Sequence, residues 1–255
     1  MIEVVIVTLL IIVIFLVLTL LCRKHSTLEN FNNYSLRTKP VTIAMCVPCY
    51  PPDTPELDQL MESVRKLTVK PDEIIIGHSE MSPEDAKKLE KKFEDLKIKV
   101  VSTPKQQYAA DNREMAALQA TSDYISFMDA DDVIVPFRFE MLKFTILIDK
   151  PKAILHSYYE NKIPETFTRK IKQKVYGDTI YDFYQKTDSP VITDYIVTHG
   201  HVTIKKEVLE KVPLRKGKEF HVREDALYVR DIVEHYGRKK DTIVFLDIPL
   251  SVYLP

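Results

Sequence analysis

Short apolar segments that suit β-strands alternate with longer segments that suit α-helices over residues 41–156. The predicted strands are residues 41–47, 73–77, 98–102, 124–128 and 153–156. Four helices are predicted between them. The first has Thr54 as its N-cap and Pro55 in its first turn, and the second begins at Ser82-Pro83. The third and fourth cover residues 108–120 and 137–148. Parallel strands need such crossover helices, so the pattern predicts an α/β fold, a mostly parallel sheet flanked by helices on both faces.

The rest of the chain is less regular but consistent with one domain. A further helix is predicted over residues 224–236, and the rest of the chain after about residue 158 is predicted to contain short strands and aromatic-rich loops. The chain has 255 residues, of which 45% are apolar, enough for one sizeable core. Its formal net charge of −1 gives no reason to expect a nucleic-acid partner.

The N-terminal segment is distinct from the rest. Residues 4–21 are apolar apart from two threonines and carry no charge. As a helix this segment is about 27 Å long, close to the thickness of a bilayer core. Residues 20–24 lack the small-x-small pattern of a cleaved signal peptide. We therefore predict a transmembrane anchor over residues 1–22, a polar stalk over residues 23–40 and a single folded domain over residues 41–255.

The charges beside this apolar segment bear on its orientation. Arg23, Lys24 and His25 follow the segment, whereas residues 1–3 contain no basic side chain. The positive-inside rule therefore favours a single-pass protein whose domain faces the cytoplasm. The glycosylation sequon at residues 33–35 would fit a lumenal domain instead, so the lumenal orientation stays open.

Three carboxylates follow the strand at residues 124–128. Asp129, Asp131 and Asp132 would lie at the carboxyl edge of the sheet, where α/β proteins bind ligands. Crowded carboxylates raise one another's pKa unless a cation lies among them, and Mg²⁺ or Mn²⁺ prefers carboxylate and phosphate oxygens. The pattern indicates a divalent metal site; an Asp-rich turn before a helix, with Pro136 in the first turn, is the alternative.

Four segments match a family pattern in the family's order. The first segment, residues 43–50, is a predicted strand that ends in Pro-x-Tyr, and the second, residues 113–132, runs from an arginine on a helix to Asp-x-Asp-Asp. The third, residues 200–209, is a predicted strand and helix, and the fourth, residues 223–230, carries Glu-Asp on a helix. Over about residues 41–250 the chain thus resembles the family 2 glycosyltransferases, the nucleotide-diphospho-sugar transferases of GT-A fold. The resemblance implies that residues 41–255 are a catalytic domain.

The resemblance also implies roles for the carboxylates. Asp129 would bind the ribose or the sugar, and Asp131 would hold the metal, with Asp132 as a second candidate. Asp225, with Glu224 beside it, would be the general base that deprotonates the acceptor. Read without the resemblance, Glu224 and Asp225 are acidic residues that favour a helix N-terminus.

The remaining candidates would contact the nucleotide-sugar: they are Pro48, Tyr50, Ser79, Glu80 and Arg113. The family usually has Asp-Asp-x-Ser after its second strand, whereas this chain has Gly77-His78-Ser79-Glu80. Glu114 stands where the family has Asn. These departures leave the identity of the nucleotide open.

The resemblance implies a membrane-anchored, metal-dependent, inverting transferase that moves a sugar from a UDP- or GDP-sugar to an acceptor hydroxyl on a glycan, lipid or protein. The chain has no Trp, so it lacks the Gln-x-x-Arg-Trp motif of processive synthases. Acceptor contacts are expected over residues 157–200, where tyrosines suit sugar rings: Tyr158, Tyr159, Tyr176, Tyr181 and Tyr184.

Three other functions remain as alternatives. A non-catalytic relative that binds a sugar nucleotide or glycan on the same fold would explain the altered residues 77–80. A nucleotidyl transferase would need a glycine-rich basic loop after the first strand, which residues 51–54 do not provide. Cys46 and Cys49 have the spacing of a redox pair, although Cys46 lies within the predicted strand.

Overall fold

The computed structural model describes residues 40–160, 202–221, 224–237 and 242–254. The predicted anchor and stalk over residues 1–39 lie outside the described residues, as do Tyr176, Tyr181 and Tyr184. Within the described ranges, no helix has both the length and the apolar character that a membrane span requires.

The secondary structure follows the predicted alternation. The strands are β1 Ile43–Cys49, β2 Glu73–Ser79, β3 Lys99–Thr103, β4 Tyr124–Phe127, β5 Val133–Ile134, β6 Ala153–Glu160, β7 Val202–Lys205 and β8 Ile243–Tyr253. The helices are α1 Leu57–Arg65, α2 Pro83–Lys92, α3 Ala109–Gln119, α4 Arg138–Asp149, α5 Lys206–Lys211 and α6 Glu224–Tyr236, with 3₁₀ turns at Pro51–Asp53 and Glu94–Leu96.

The strands of the described part form one sheet in the order β3-β2-β1-β4-β7-β6-β8-β5. Strands β3, β2, β1 and β4 run parallel to one another. Strand β7 is antiparallel to both β4 and β6, β6 is parallel to β8, and β5 is antiparallel to β8. The predicted α/β fold with a mostly parallel sheet is confirmed, with antiparallel pairs on the far side of β4.

Each face of the sheet has its own apolar core. One core contains side chains of α3, α5 and α6, and the other contains side chains of α1, α2 and α4. Helices therefore cover both faces, as expected for a sheet whose central strands are buried throughout.

The two cysteines of β1 lie in different cores. Cys46 packs on the α3 face and Cys49 on the α1 face, as their odd spacing along a strand requires. Burial raises the pKa of the Cys46 thiol above its usual range and that of Cys49 to about 12. A redox pair needs adjacent sulfurs and an accessible thiolate, so this geometry excludes the redox alternative.

The predicted N-cap at Thr54 is wrong. Helix α1 begins at Leu57, and the residues before it form the 3₁₀ turn Pro51–Asp53. Two consecutive prolines fix φ and lack N–H groups, which favours this short turn over an immediate α-helix. The Thr54 hydroxyl instead lies 2.9 Å from His78 Nε2, which ties this turn to the end of β2. By contrast, the N-cap at Ser82 forms, since Asp85 N–H donates to its hydroxyl.

Strands β5 and β8 were not predicted. Strand β8 contains Pro249, which argues against a strand in sequence analysis. In the structure Pro249 lies opposite Ser157, where the pairing of β6 with β8 shifts register. A bulge of this kind accommodates a proline without a regular ladder bond.

Helix α3 lies unusually close to β2 because residue 77 is glycine. A Cβ atom built at Gly77 would lie 2.0 Å from the backbone oxygen of Asn112 and 3.3 Å from the Cβ of Ala116. Any larger residue would push α3 away from the sheet. Because α3 carries Arg113, this close approach also sets the position of a predicted site residue.

Candidate active site

The carboxyl ends of the parallel strands meet at one edge of the sheet. Tyr50 follows β1, Glu80 follows β2, and Asp129 lies two residues after β4. Pro48 lies near the end of β1, beyond Cys46, where the pairing with β4 ends, so its missing N–H costs no ladder bond there. This edge is where open α/β sheets bind ligands.

Arg113 joins two of the predicted acidic residues. Its Nη1 donates to Glu224 Oε1 over 2.8 Å, and its Nη2 forms an ion pair with Asp129 Oδ1. The side chains of Arg113, Glu224 and Asp129 are only 6%, 9% and 20% exposed, so water screens these pairs little. Burial alone would lower the pKa of Arg113, but Asp129 and Glu224 raise it above its usual value. The bridge holds β4, α3 and α6 together.

Asp225 lies next to this bridge in the first turn of α6. Its Oδ1 accepts a hydrogen bond from the Ala226 N–H over 2.7 Å. Burial, followed by the charge of Glu224, raises the pKa of Asp225 to about 7. A carboxylate with a pKa near neutrality is suited to accept a proton from a hydroxyl. Glu224, in contrast, is engaged with Arg113.

Asp131 and Asp132 have different surroundings. Asp131 is exposed, and its pKa is raised by partial burial of the carboxyl and by Asp129. Asp132 is buried, with 1% exposure; its Oδ1 accepts a hydrogen bond from Leu254 N–H over 3.1 Å. Its Oδ2 has no hydrogen-bond partner among the described residues. Asp131 is therefore the more accessible of the two predicted metal ligands.

Arg138, which sequence reasoning missed, lies buried beneath the acidic turn. Its Nη2 donates to Ser126 Oγ and to the Phe127 carbonyl oxygen, each over 2.9 Å. Burial lowers the pKa of Arg138 to about 9, and Asp132 and Asp129 oppose that shift. This cation stabilises the end of β4 and offsets part of the negative charge above it. No spacing in the sequence marks it as different from a surface arginine of α4.

The donor set fits a divalent cation that substrate helps to hold. In the described ranges, no three His, Cys, Asp or Glu side chains lie close enough together to hold a metal ion. Mg²⁺-type sites, however, commonly use one or two carboxylates together with substrate phosphates. The exposed Asp131 and its repelling neighbour Asp129 match that kind of site, because a cation would relieve the repulsion that raises the pKa of Asp131.

The structure adds Asp53 to the acidic group. This residue ends the 3₁₀ turn after β1, and its backbone N–H donates to the Tyr50 carbonyl oxygen over 3.0 Å. Burial, then Asp131 and Asp129, raises the pKa of Asp53 to about 6. Its position just past the carboxyl end of β1 is the sequence signal that would have indicated it.

The predicted nucleoside residues at the end of β2 differ in accessibility. Ser79 is fully buried, and its Oγ accepts from Asn112 Nδ2 over 3.1 Å. Glu80 is exposed and has a φ of +55°, an uncommon conformation for a residue with a side chain. His78 Nδ1 donates to the Ser79 carbonyl oxygen over 2.7 Å, and burial lowers the pKa of His78. The structure thus makes Glu80, rather than Ser79, the residue that faces solvent at this edge.

Comparison with known proteins gives one family match. The sequence profile described as "Glycosyl transferase family 2" matches residues 45–213, which is well over half of the chain. No curated protein sequence matches the chain.

Solved structures show the same fold at low identity. The crystal structure of S. aureus TarS 1–349 has a TM-score of 0.60 at 15% identity over 84% of this chain and 60% of that chain. Glucosyl-3-phosphoglycerate synthase from Mycobacterium tuberculosis has a TM-score of 0.53 at 16% identity over 81% of this chain and 68% of that chain. The mannosyltransferase PcManGT from Pyrobaculum calidifontis has a TM-score of 0.55 at 14% identity over 86% of this chain and 57% of that chain.

Proposed function

Because this chain belongs to glycosyl transferase family 2, we propose that it moves a sugar from a nucleotide-diphospho-sugar to an acceptor hydroxyl. Three neighbours in fold support a donor of the UDP or GDP type. TarS was crystallised with UDP-GlcNAc, the M. tuberculosis synthase with UDP and Mn²⁺, and PcManGT with GDP-Man and Mn²⁺.

The observation that carries this proposal is the buried bridge through Arg113. It joins Asp129, on the donor side of the site, to Glu224, which is the neighbour of the proposed base Asp225. A rigid connection of this kind holds the donor carboxylate and the base in one geometry, which is what a direct displacement requires.

In the proposed reaction, Asp225 accepts the proton of the acceptor hydroxyl as its oxygen attacks C1 of the donor sugar. The bond between C1 and the diphosphate oxygen breaks as the new glycosidic bond forms, and the nucleoside diphosphate leaves. A single displacement from the opposite face inverts the anomeric configuration. Glu224 does not take the proton in this scheme, because Arg113 holds its carboxylate; it positions Arg113 and the start of α6.

The donor contacts follow from accessibility at the strand ends. Asp129 would bind the ribose or sugar, and the exposed Tyr50 and Glu80 would lie beside the nucleoside. Asp131, with Asp132 behind it, would hold Mn²⁺ or Mg²⁺. When bound, such a cation supplies positive charge that neutralises the departing diphosphate.

Replacing Asp131 by Ala is expected to abolish metal-dependent nucleotide binding, because the exposed carboxylate that meets the cation is lost. The measurement is the thermal shift of the full chain with UDP- and GDP-sugars, in Mn²⁺ or in EDTA. Asp149→Ala, at the exposed end of α4, is the control and should keep the wild-type response. A Mn²⁺-dependent shift of wild-type size in Asp131→Ala would contradict the metal assignment.

The apolar residues 4–21 support a proposed membrane anchor, with the non-processive domain on the cytoplasmic side. The full chain is expected to stay in the membrane pellet after carbonate extraction, whereas a chain without residues 1–22 should not. Protease added to the cytoplasmic side should digest the domain. Extraction of the full chain into the supernatant would rule out the anchor. Protection of the domain from that protease would show the opposite orientation, with the domain on the lumenal side.

A further inference from the structure

Tyr253, at the end of β8, lies beside the candidate active site although it is remote in sequence from every predicted site residue. The next residue, Leu254, donates its N–H to Asp132 Oδ1 over 3.1 Å. This bond fixes the end of β8 against the acidic turn that follows β4. The Tyr253 side chain remains 39% exposed, so its ring is accessible from solvent at that position.

The charged groups that act on the Tyr253 hydroxyl belong to both halves of the site. After burial, the groups that raise its pKa most are the carboxylates Asp132, Asp131, Asp129 and Asp225, in that order. The ring therefore lies beside the acidic turn, where Leu254 N–H donates to Asp132, and within range of the charge of Asp225.

A second tyrosine completes an aromatic surface. The rings of Tyr158 and Tyr253 are 6.1 Å apart between centroids, with an angle of 70° between their planes. Tyr158 lies opposite Ser251 in the register of β6 with β8, so Tyr253, two residues further, lies on the same face. The register shift just before Tyr158 is a bulge of the kind that redirects side chains next to active sites.

We propose that Tyr158 and Tyr253 form the acceptor subsite, and that the acceptor is a carbohydrate with an uncharged sugar ring. The C–H face of a sugar packs on aromatic rings, while its hydroxyls donate hydrogen bonds to carboxylates such as those beside Tyr253. Asp225, the one of these carboxylates to which no cation is assigned, repels an anion, which disfavours acceptors like the phosphoglyceric acid bound by the M. tuberculosis neighbour. This inference rests on the proposed glycosyl transfer.

The test compares neutral and anionic acceptors with the full chain, Mn²⁺ and the UDP- or GDP-sugar that binds best. The neutral probes are methyl glucosides, mannosides and galactosides; the anionic probes are hexose 6-phosphates, phosphoglyceric acid and a polyprenyl phosphate. We expect transfer to a neutral glycoside with the higher kcat/KM. Preferential transfer to an anionic probe, or no transfer to any neutral glycoside by a protein that binds donor, overturns the proposal.

Variants separate the aromatic surface from the rest of the site. Tyr253→Leu should raise the acceptor KM at least about tenfold, as expected for the loss of one stacking partner, with donor Kd unchanged. Tyr253→Phe keeps the ring and should stay within about threefold of wild type, and Tyr158→Leu should act like Tyr253→Leu. An unchanged acceptor KM in both Leu variants overturns the subsite. Absence of donor binding in the wild type would instead overturn the proposed function, and this inference with it.

Discussion

Replacing Asp225 by Asn is expected to lower turnover by about 10²–10⁴-fold, the usual contribution of a general base, while the donor still binds. Asn has nearly the same shape but does not accept the proton of the acceptor hydroxyl. The proposed donor carboxylates, Asp129 and Asp131, remain in place, so metal-dependent donor affinity should be unchanged. The measurement is steady-state kinetics combined with donor binding by the same variant.

The pH dependence provides a second readout of the same residue. Asp225 must be deprotonated to act as a base, and its pKa is raised to about 7. Wild-type kcat/KM should therefore rise with pH through a limb near pH 7 and level off above it. The residual activity of Asp225→Asn should lack this limb.

A matched control lies on the same helix. Asp231 lies on α6 and forms an ion pair with Arg215, outside the Arg113 bridge. Asp231→Asn should therefore keep both the turnover and the pH-dependent limb of the wild type. Near wild-type turnover in Asp225→Asn, or a limb that persists in that variant, would remove Asp225 from the mechanism.

Replacing Arg113 by Met is expected to lower the free energy of unfolding by about 3–5 kcal/mol. The substitution leaves the carboxylates of Asp129 and Glu224 partly or largely buried without the cation they share, and removal of one partner from a buried ion pair has this cost. Denaturant-induced unfolding at neutral pH measures the change. Activity should fall as well, because the bridge positions both sides of the site.

The control for Arg113 is Arg215, which makes a two-pronged ion pair with Asp231 through bonds of 2.7 Å each. Its side chain is 35% exposed, against 6% for Arg113. Exposed pairs contribute about 1 kcal/mol or less, so Arg215→Met should have a small effect. Equal losses of the free energy of unfolding in Arg113→Met and Arg215→Met would show that the buried Arg113 bridge stabilises the fold no more than an exposed ion pair.

Local patterns in the sequence were enough to predict most of the parallel half of the sheet. Helix α6 has the predicted bounds, and β4 ends within one residue of its predicted end, because each has a regular apolar pattern with clear boundaries. The start of α1 was wrong because Pro51 and Pro52 form a 3₁₀ turn before it. Strand β8 was missed because a proline argues against a regular strand, and Pro249 is accommodated where the pairing of β6 with β8 shifts register.

The candidate site was predictable in its residue types but not in its pairings. Asp129, Glu224 and Asp225 were chosen from motifs, and the structure brings all three together. Their link through Arg113 spans 111 residues of sequence to Glu224, and no local pattern reports such a contact. Likewise, the motif gives no sign that Asp132 faces inward while Asp131 faces solvent.

The contributions of Asp53 and Tyr253 depend on how distant segments fold back onto the sheet edge. Asp53 ends the 3₁₀ turn after β1, where the charges of Asp131 and Asp129 raise its pKa. Tyr253 lies beside the acidic turn because the end of β8 is bonded there through Leu254 N–H and Asp132. Both positions follow from tertiary structure, which residue spacing does not encode.

We propose that the edge holding Asp129, Asp131 and Asp225 transfers sugar from a nucleotide-diphospho-sugar. The measurement that tests this is the release of nucleoside diphosphate from UDP- and GDP-sugars by the full chain, in Mn²⁺ with the acceptor probes, for wild type and Asp225→Asn side by side. We expect release from one nucleotide class by the wild type and at least about a hundredfold less by the variant, with donor bound equally by both. Equal release by the two proteins, or none by a folded wild type that binds donor, would contradict it.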